Sequence, residues 1–103
     1  LKTKANVGVT TVGIYTAPAA TTTVVIGITL ANTSGSGVNV GVGITRAGAT
    51  EDVKLLKNAP VPQGSSLEFM GGNKIVLEAT DTVTVDSDTN NSVDAALTIM
   101  EIT

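Results

Sequence analysis

The sequence predicts an all-β protein, an antiparallel β-sandwich of about eight short strands with a jelly-roll or immunoglobulin-like topology. Threonine is the commonest residue and, with Val and Ile, makes the composition strongly β-branched, which favours a pleated sheet over a helix. Several segments alternate apolar and polar residues, and no long segment has the helical period. The length of 103 residues fits a single domain over residues 1–103.

The first part of the chain predicts strands separated by clear turns. The N-terminal residues through Thr16 are too polar and broken for a signal peptide and are interpreted as a first strand. Val12–Thr16 predicts this short strand, which ends at Ala17-Pro18. From residue 24 the alternation predicts a core-facing set and an outward set, namely Val24, Ile26, Ile28 and Leu30 against Val25, Gly27, Thr29 and Ala31.

A polar loop over residues 32–37 leads to a strand that the pattern pairs with the preceding one as a hairpin. The core-facing residues of this strand are predicted to be Val38, Val40, Val42 and Ile44. The outward sides of the two strands carry Gly27, Gly41 and Gly43, and glycine weakens a strand unless something approaches it closely. A neighbouring subunit could make that approach, while a bulge or a tolerant exposed edge would also explain the glycines.

The second part of the chain predicts the remaining strands. Residues 51–57 predict a strand with Val53 and Leu55 on one side, and Pro60-Val61-Pro62 predicts an edge strand or a crossover between sheets. Gly71-Gly72-Asn73 predicts a hairpin turn after a strand over residues 67–70. The last strands are predicted over residues 74–78, 81–86 and 92–102. Val83 and Val85 are predicted to face the core, Ile75 and Leu77 to share one face of their strand, and Val93, Ala95, Leu97 and Ile99 to share one face of theirs.

Charge is scarce, which bears on the partners of this protein. Charged residues make up 15% of the chain, against roughly a quarter in average soluble domains. Either part of the surface is buried in an assembly, or the protein is a monomer with a neutral surface of Thr, Ser and Gly. The net charge of −3 and the lack of a basic patch predict no nucleic-acid partner. No segment approaches the roughly 18 apolar residues of a membrane helix, so no membrane partner is expected.

The chain has neither His nor Cys, which removes the usual general base, the commonest metal ligand and the familiar Ser-His and Cys-His pairs. We therefore expect no enzymatic activity, no catalytic residue and no cofactor. Asp86, Asp88 and Asn90 match the opening of a calcium loop, but Asn91 and Leu97 stand where an EF-hand needs Gly and an acid. The three residues remain a candidate for a looser calcium site, beside the alternative of an Asx-rich loop that binds no metal.

Four segments carry a resemblance to a known group of proteins: residues 28–34 (ITLANTS), 58–68 (NAPVPQGSSLE), 71–78 (GGNKIVLE) and 100–103 (MEIT). Together they are similar to small structural proteins of tailed bacteriophages, particularly marine and cyanobacterial phages. The resemblance implies a virion component that is assembled in the host cytoplasm. It supplies no catalytic or binding residue, because that group has no site motif.

The role implied by this resemblance is that of a capsid decoration or cement protein, which binds the phage shell and forms a homo-oligomer. A trimer is favoured by analogy, because capsid lattices offer three-fold positions. One alternative is a tail, neck or fibre component of the particle. Another, from a different class, is a glycan- or calcium-binding module.

Overall fold

The computed structural model describes residues 2–46, 52–69 and 75–102, and within these ranges it contains nine β-strands and no helix. The all-β prediction is confirmed. The described residues accordingly include no helix that could cross a membrane. The strands are β1 (Lys2–Val7), β2 (Val12–Thr16), β3 (Thr22–Asn32), β4 (Val38–Thr45), β5 (Asp52–Val61), β6 (Ser66–Phe69), β7 (Ile75–Leu77), β8 (Thr82–Ser87) and β9 (Val93–Ile102).

The strands form two antiparallel sheets that pack face to face. The first sheet has the order β1-β9-β3-β6, with β7 also paired to β3, and the second has the order β2-β8-β4-β5. Among the described strands, the chain crosses between the sheets at six connections, and only β4 to β5 and β6 to β7 stay within one sheet. This order is that of a jelly roll, whereas an immunoglobulin-like sandwich keeps its first two strands in one sheet. The structure therefore selects the jelly roll from the two predicted topologies.

The predicted hairpin of β3 and β4 is wrong, because the two strands lie in different sheets. β3 pairs with β9, β6 and β7, and β4 pairs with β8 and β5. The buried side chain of Asn32 holds the connection: its Nδ2 donates to the backbone oxygens of Ser36 at 2.8 Å and Val61 at 2.9 Å. Its Oδ1 accepts from the amide of Ser34 at 2.9 Å. The loop is an Asx turn that carries the chain across the sandwich.

The predicted core face of β3 is only partly correct. Ile28 and Leu30 are buried, but Val25 takes the inward position that was predicted for Val24 and Ile26. The pairing of β3 with β9 shifts between Val25 and Gly27, so Ile26 is the extra residue of a β-bulge. Because side chains alternate with a period of two, one extra residue reverses the faces on one side of the bulge.

The core-facing predictions for β4 and β8 are confirmed, and the apolar faces predicted for β7 and β9 also point into the sandwich, which is filled mainly by aliphatic residues from both sheets. Ile75 and Ile99 are half-buried, and the rest of the predicted residues of β4, β7, β8 and β9 are buried: Val38, Val40, Val42, Ile44, Leu77, Val83, Val85, Val93, Ala95 and Leu97. Pro60 lies in β5, which is the edge strand of the second sheet, as its missing amide donor predicts. Val53 and Leu55 of the same strand are exposed.

The strands β6 and β7 act as two pieces of one edge strand. Phe69 pairs with Ile28 and Ile75 pairs with Val25, both antiparallel to β3, so β6 and β7 run in the same direction. The hairpin predicted at Gly71-Gly72-Asn73 falls outside the described residues. The described flanking strands do not pair with each other as the two arms of such a hairpin would.

Candidate functional site

The carboxylate of Asp86, the first calcium candidate, lies on the outer face of the second sheet. Its Oδ2 accepts hydrogen bonds from Thr11 Oγ1 and from Lys54 Nζ, both at 3.0 Å. The contact with Lys54 is also an ion pair, and it joins β8 to β5 across β4. Asp86 of β8 is thus bonded both to the loop before β2 and to β5.

The other two calcium candidates hold the loop that follows β8. Asp88 Oδ1 accepts from the amide of Asn39 at 3.1 Å, and Asn90 Oδ1 accepts from the amide of Val9 at 3.3 Å. Within residues 2–46, 52–69 and 75–102, no group of three or more His, Cys, Asp and Glu side chains is placed to hold a metal. The structure thus gives each of the three residues a protein partner, and the calcium site stays a prediction.

The glycines of the outer faces differ in what approaches them. A Cβ on Gly41 would lie 2.5 Å from Asp86 Oδ1 and 3.2 Å from the backbone oxygen of Leu56. A Cβ on Gly27, in contrast, would have nothing within 4 Å. The close approach at Gly41 therefore comes from the chain itself, whereas the surface above Gly27 is open.

A second polar cluster fixes the turn between β7 and β8. Asp81, whose side chain is almost fully buried, accepts at Oδ1 from Arg46 Nε at 3.0 Å and at Oδ2 from the amide of Glu78 at 2.9 Å. Arg46 also pairs with the carboxylate of Glu78. The hydrogen bond and the charge of Asp81 raise the pKa of the Arg46 guanidinium above its ordinary value. These contacts hold Thr80 in the left-handed region, with φ at 67°.

A tyrosine joins the two sheets at one end of the sandwich. Tyr15 of β2 donates to Glu101 Oε2 of β9 at 2.5 Å, and its hydroxyl lies 2.8 Å from Thr23 Oγ1 of β3. The single phenolic proton is used on Glu101, so the hydroxyl of Thr23 is the donor to Tyr15. Burial, followed by the hydrogen bond to Glu101, raises the pKa of Tyr15 above its ordinary value.

Exposed aliphatic side chains cluster at one end of the outer face of the first sheet. Val76, Val24 and Met100 are direct neighbours on β7, β3 and β9, so they point to the same side. The bulged Ile26 and Ile102, two residues beyond Met100 on β9, flank this row. The exposed fractions are 60% for Val76, 52% for Ile102, 51% for Met100 and 42% for Ile26. We call these five residues the aliphatic patch.

The other end of the same face is a shallow depression with a volume of about 360 Å³. Thr3, Ala96 and Thr29 are neighbours in one row on β1, β9 and β3, and small side chains dominate the lining. The residues that line this depression are Thr3, Lys4, Ala5, Thr29, Ala31, Asp94, Ala95 and Ala96. The outer face of the first sheet therefore has a raised apolar end and a hollow end.

The outer face of the second sheet has a different character. Its central rows consist of threonine and glycine, namely Gly13, Thr84 and Gly43 in one row and Thr16, Thr82 and Thr45 in the next. The hydroxyls of Thr16 and Thr82 hydrogen bond to each other at 2.9 Å. Together with the ion pair of Lys54 and Asp86, these groups make this face polar. Among the described residues, the exposed large apolar side chains of the second sheet are Val53 and Leu55 of its edge strand β5, and its central rows carry none.

The sequence pattern missed the aliphatic patch because it assigned two of its members, Val24 and Ile26, to the core. A signal for it was nevertheless present in the segment Ile99-Met100-Glu101-Ile102. When Ile99 faces the core, Met100 and Ile102 must point outward, and two large apolar residues on an outward face indicate a contact surface. The candidate site of the described residues is thus an exposed apolar surface on the first sheet.

Comparison with protein family models, with curated proteins and with solved structures finds no match to this chain.

Proposed function

We propose that this chain is a non-enzymatic structural protein of a tailed-phage particle, a capsid decoration or cement protein that binds the shell as a homo-oligomer and buries the outer face of its first sheet in the assembly. The observation that carries the proposal is the aliphatic patch. Four of its five side chains are among the exposed large apolar residues of the molecule, and they cluster on one face. Contiguous apolar surface of this kind marks a protein contact.

Two further arguments support the phage assignment in particular. The jelly roll is an architecture of many viral capsid proteins, although it also occurs in lectins and cupins, so this argument is one of fold analogy. The sequence resemblance to small virion proteins is independent of the fold. The low charge agrees with both, since a surface that is buried in an assembly does not need to be solvated.

The size of the patch indicates how the protein is held. It exposes on the order of 400 Å² of apolar surface, within the range of the largest patch on a typical monomer. Burying it against an equal area contributes about 20 kcal/mol at about 25 cal/mol per Å². Association costs about 4–15 kcal/mol in lost freedom and ordering. The buried area therefore does not by itself fix the affinity of one copy, and a homo-oligomer that engages several lattice sites at once would bind more tightly.

Quantitative mass spectrometry of purified particles, with the signal of this chain divided by that of the major shell protein, tests the proposal. A copy number near that of the shell protein supports decoration. A few copies per particle would place the protein in the tail, neck or a fibre, and complete absence would contradict a virion role. In that last case, glycan binding and a calcium-dependent rise in melting temperature become the measurements that decide.

Incorporation of two matched variants tests the docking face. Met100→Glu places a charge in the aliphatic patch, whereas Val53→Glu changes an equally exposed apolar residue of β5 in the other sheet, with an exposed fraction of 55%. We expect the first variant to be lost from particles and the second to be retained. Equal incorporation of both would contradict docking through the first sheet.

A further inference from the structure

The aliphatic patch and the depression lie on one face and therefore point in the same direction. Along β9 the outward side chains change from Ala96 in the depression, through Thr98, to Met100 in the patch. Along β3 the same step leads from Thr29 past Gly27 to the patch residues. Patch and depression are about 13 Å apart at about 3.3 Å per strand residue. The face is thus raised at one end, hollow at the other and flat between them.

We propose that a second copy of the chain covers this face in a two-fold, face-to-face dimer, in which the patch of each copy fills the depression of the other. The inference rests on the proposed function, because it names the partner at the docking face. A two-fold axis that runs across the strands above Thr98 exchanges the two ends of the face. It places Met100 over Ala96 of the other copy, and Val24 over Thr29, so the apolar row of each patch meets the row of small side chains in the other copy's depression.

The area of the face agrees with this arrangement. The strands of this sheet have 3 to 11 residues, and at about 4.8 Å between strands and about 3.3 Å per residue they give a face of roughly 500 Å² in projection, whose corrugated accessible surface is larger. A standard interface buries about 800 Å² on each partner. The patch alone offers about half of that area. An arrangement that covers both ends reaches the standard size, whereas contact of patch with patch leaves the depression empty.

The position of both features on one face also bears on the number of copies. A closed ring of three needs two different surfaces that face in different directions, because each contact in a ring is heterologous. Here the complementary surfaces share one direction, and two copies that meet through the same face are related by a two-fold axis. The geometry favours a dimer over the trimer expected from the capsid lattice.

Sedimentation velocity of the full chain over a range of concentrations tests the dimer. The wild-type protein is expected to sediment as a dimer at tens of micromolar, the concentration range of modest interfaces. Met100→Glu is expected to raise the dissociation constant at least about 100-fold, because each change occurs twice in a two-fold interface. Val53→Glu, on the other sheet, is the matched control and is expected to leave the dissociation constant unchanged.

Ala96→Phe separates the proposed arrangement from contact of patch with patch. Filling the depression is expected to raise the dissociation constant about tenfold or more, although it adds apolar surface. If the two patches met directly, this variant would dimerise as well as the wild type. Circular dichroism shows whether each variant folds. If Met100→Glu does not fold, Met100→Thr keeps strand propensity while removing most of the side chain.

Each result has a defined meaning. A wild-type monomer or trimer overturns the dimer, and so does a dimer that Met100→Glu or Ala96→Phe leaves intact. These sedimentation results do not depend on the copy number of the wild-type chain in particles. The dimer can therefore be wrong while the virion role remains supported. A dimer that behaves as expected, together with absence of the chain from particles, would instead remove the virion role and leave the dimer.

Discussion

Tyr15→Phe removes a hydroxyl that links the two sheets, and the structure gives its expected cost. The hydroxyl of Thr23 is fully buried and points at the Tyr15 oxygen 2.8 Å away, so in the variant it loses its acceptor. Glu101 is exposed and can bond to water instead. Leaving a buried donor unsatisfied costs about 1–3 kcal/mol, so we expect Tyr15→Phe to lower the free energy of unfolding by about 2 kcal/mol.

A double-mutant cycle tests the assignment of this cost to Thr23. Thr23→Val in the Tyr15→Phe background removes the hydroxyl that Tyr15→Phe left without an acceptor. Replacing both partners of a buried hydrogen bond by apolar groups of similar shape is nearly neutral for stability. We expect the second change to recover about 1 kcal/mol in urea denaturation, whereas in the wild type the same change is destabilising. Strictly additive effects of the two substitutions would refute the proposed bond between the sheets.

The raised pKa of Tyr15 adds a dependence on pH to the same prediction. The fold favours the neutral phenol, so this contribution is fully present below the ordinary pKa of about 10 and is lost as the pH rises through the higher folded value. The wild type is therefore expected to lose stability relative to Tyr15→Phe above about pH 10. The chain has one Tyr and no Trp, so the ultraviolet absorbance of tyrosinate follows this group alone. Titration at the ordinary value in the folded protein would contradict the burial of this hydroxyl.

Three further predictions concern backbone and polar positions and are checked by urea denaturation at neutral pH. Gly41→Ala is expected to lower the free energy of unfolding by about 1–3 kcal/mol because its Cβ would meet Asp86. Gly27→Ala is expected to raise it by about 0.5 kcal/mol, because nothing lies near its Cβ position. Equal effects of the two substitutions would contradict this difference in spacing. Thr80→Gly is expected to gain about 1 kcal/mol by relieving a positive φ, and a loss would contradict that strain. Asp81→Ala is expected to lower the free energy of unfolding by about 2 kcal/mol, because the amide of Glu78 loses its acceptor. An unchanged free energy of unfolding would show that this hydrogen bond does not stabilise the turn.

The parts of the fold that the sequence predicted are those in which each strand keeps its own alternation. β4 shows this well, although its pairing with β5 shifts twice. Between the partners of Val40 and Val42, two residues of β5, Lys57 and Asn58, stand opposite one residue of β4, so the extra residue belongs to β5 and the period of two in β4 is unbroken. Its core-facing residues could therefore be assigned from local pattern alone.

The sequence-based prediction failed for the core face of β3, where the strand itself carries the extra residue of a bulge. It also failed for the hairpin of β3 and β4, because the pairing of these strands depends on distant parts of the chain. In β3 the residues Val24, Val25 and Ile26 are all apolar, so no polar position marks the bulge. A polar loop after β3 fits a hairpin and a crossover equally well. The choice between them depends on β8 and β9, which follow some fifty residues later, and on the hydrogen bonds of Asn32 across the sandwich.

The sequence did not predict where on the fold the candidate site lies. Low charge predicted either a surface buried in an assembly or a neutral surface of Thr, Ser and Gly, and composition does not say which face of which sheet would carry a contact. The glycines suggested the outer faces, but the structure separates them: Gly41 is filled by Asp86, and Gly27 lies open between the patch and the depression. The calcium candidates Asp86, Asp88 and Asn90 were selected by their spacing, and the structure shows each one bonded to a different segment.

Thiol labelling in assembled particles tests most directly the central claim, that the outer face of the first sheet is buried in the assembly. The chain has no Cys, so Met100→Cys supplies a single thiol in the patch, and Val9→Cys supplies one at an equally exposed loop position. We predict that the Met100→Cys variant reacts with maleimide at least about tenfold more slowly in particles than as the dilute chain. In particles, fewer than about one copy in ten has this face uncovered, and only those copies can react. Labelling of Met100→Cys that is equally fast in particles and in the dilute chain, with Val9→Cys reporting free access of the reagent, would contradict the account.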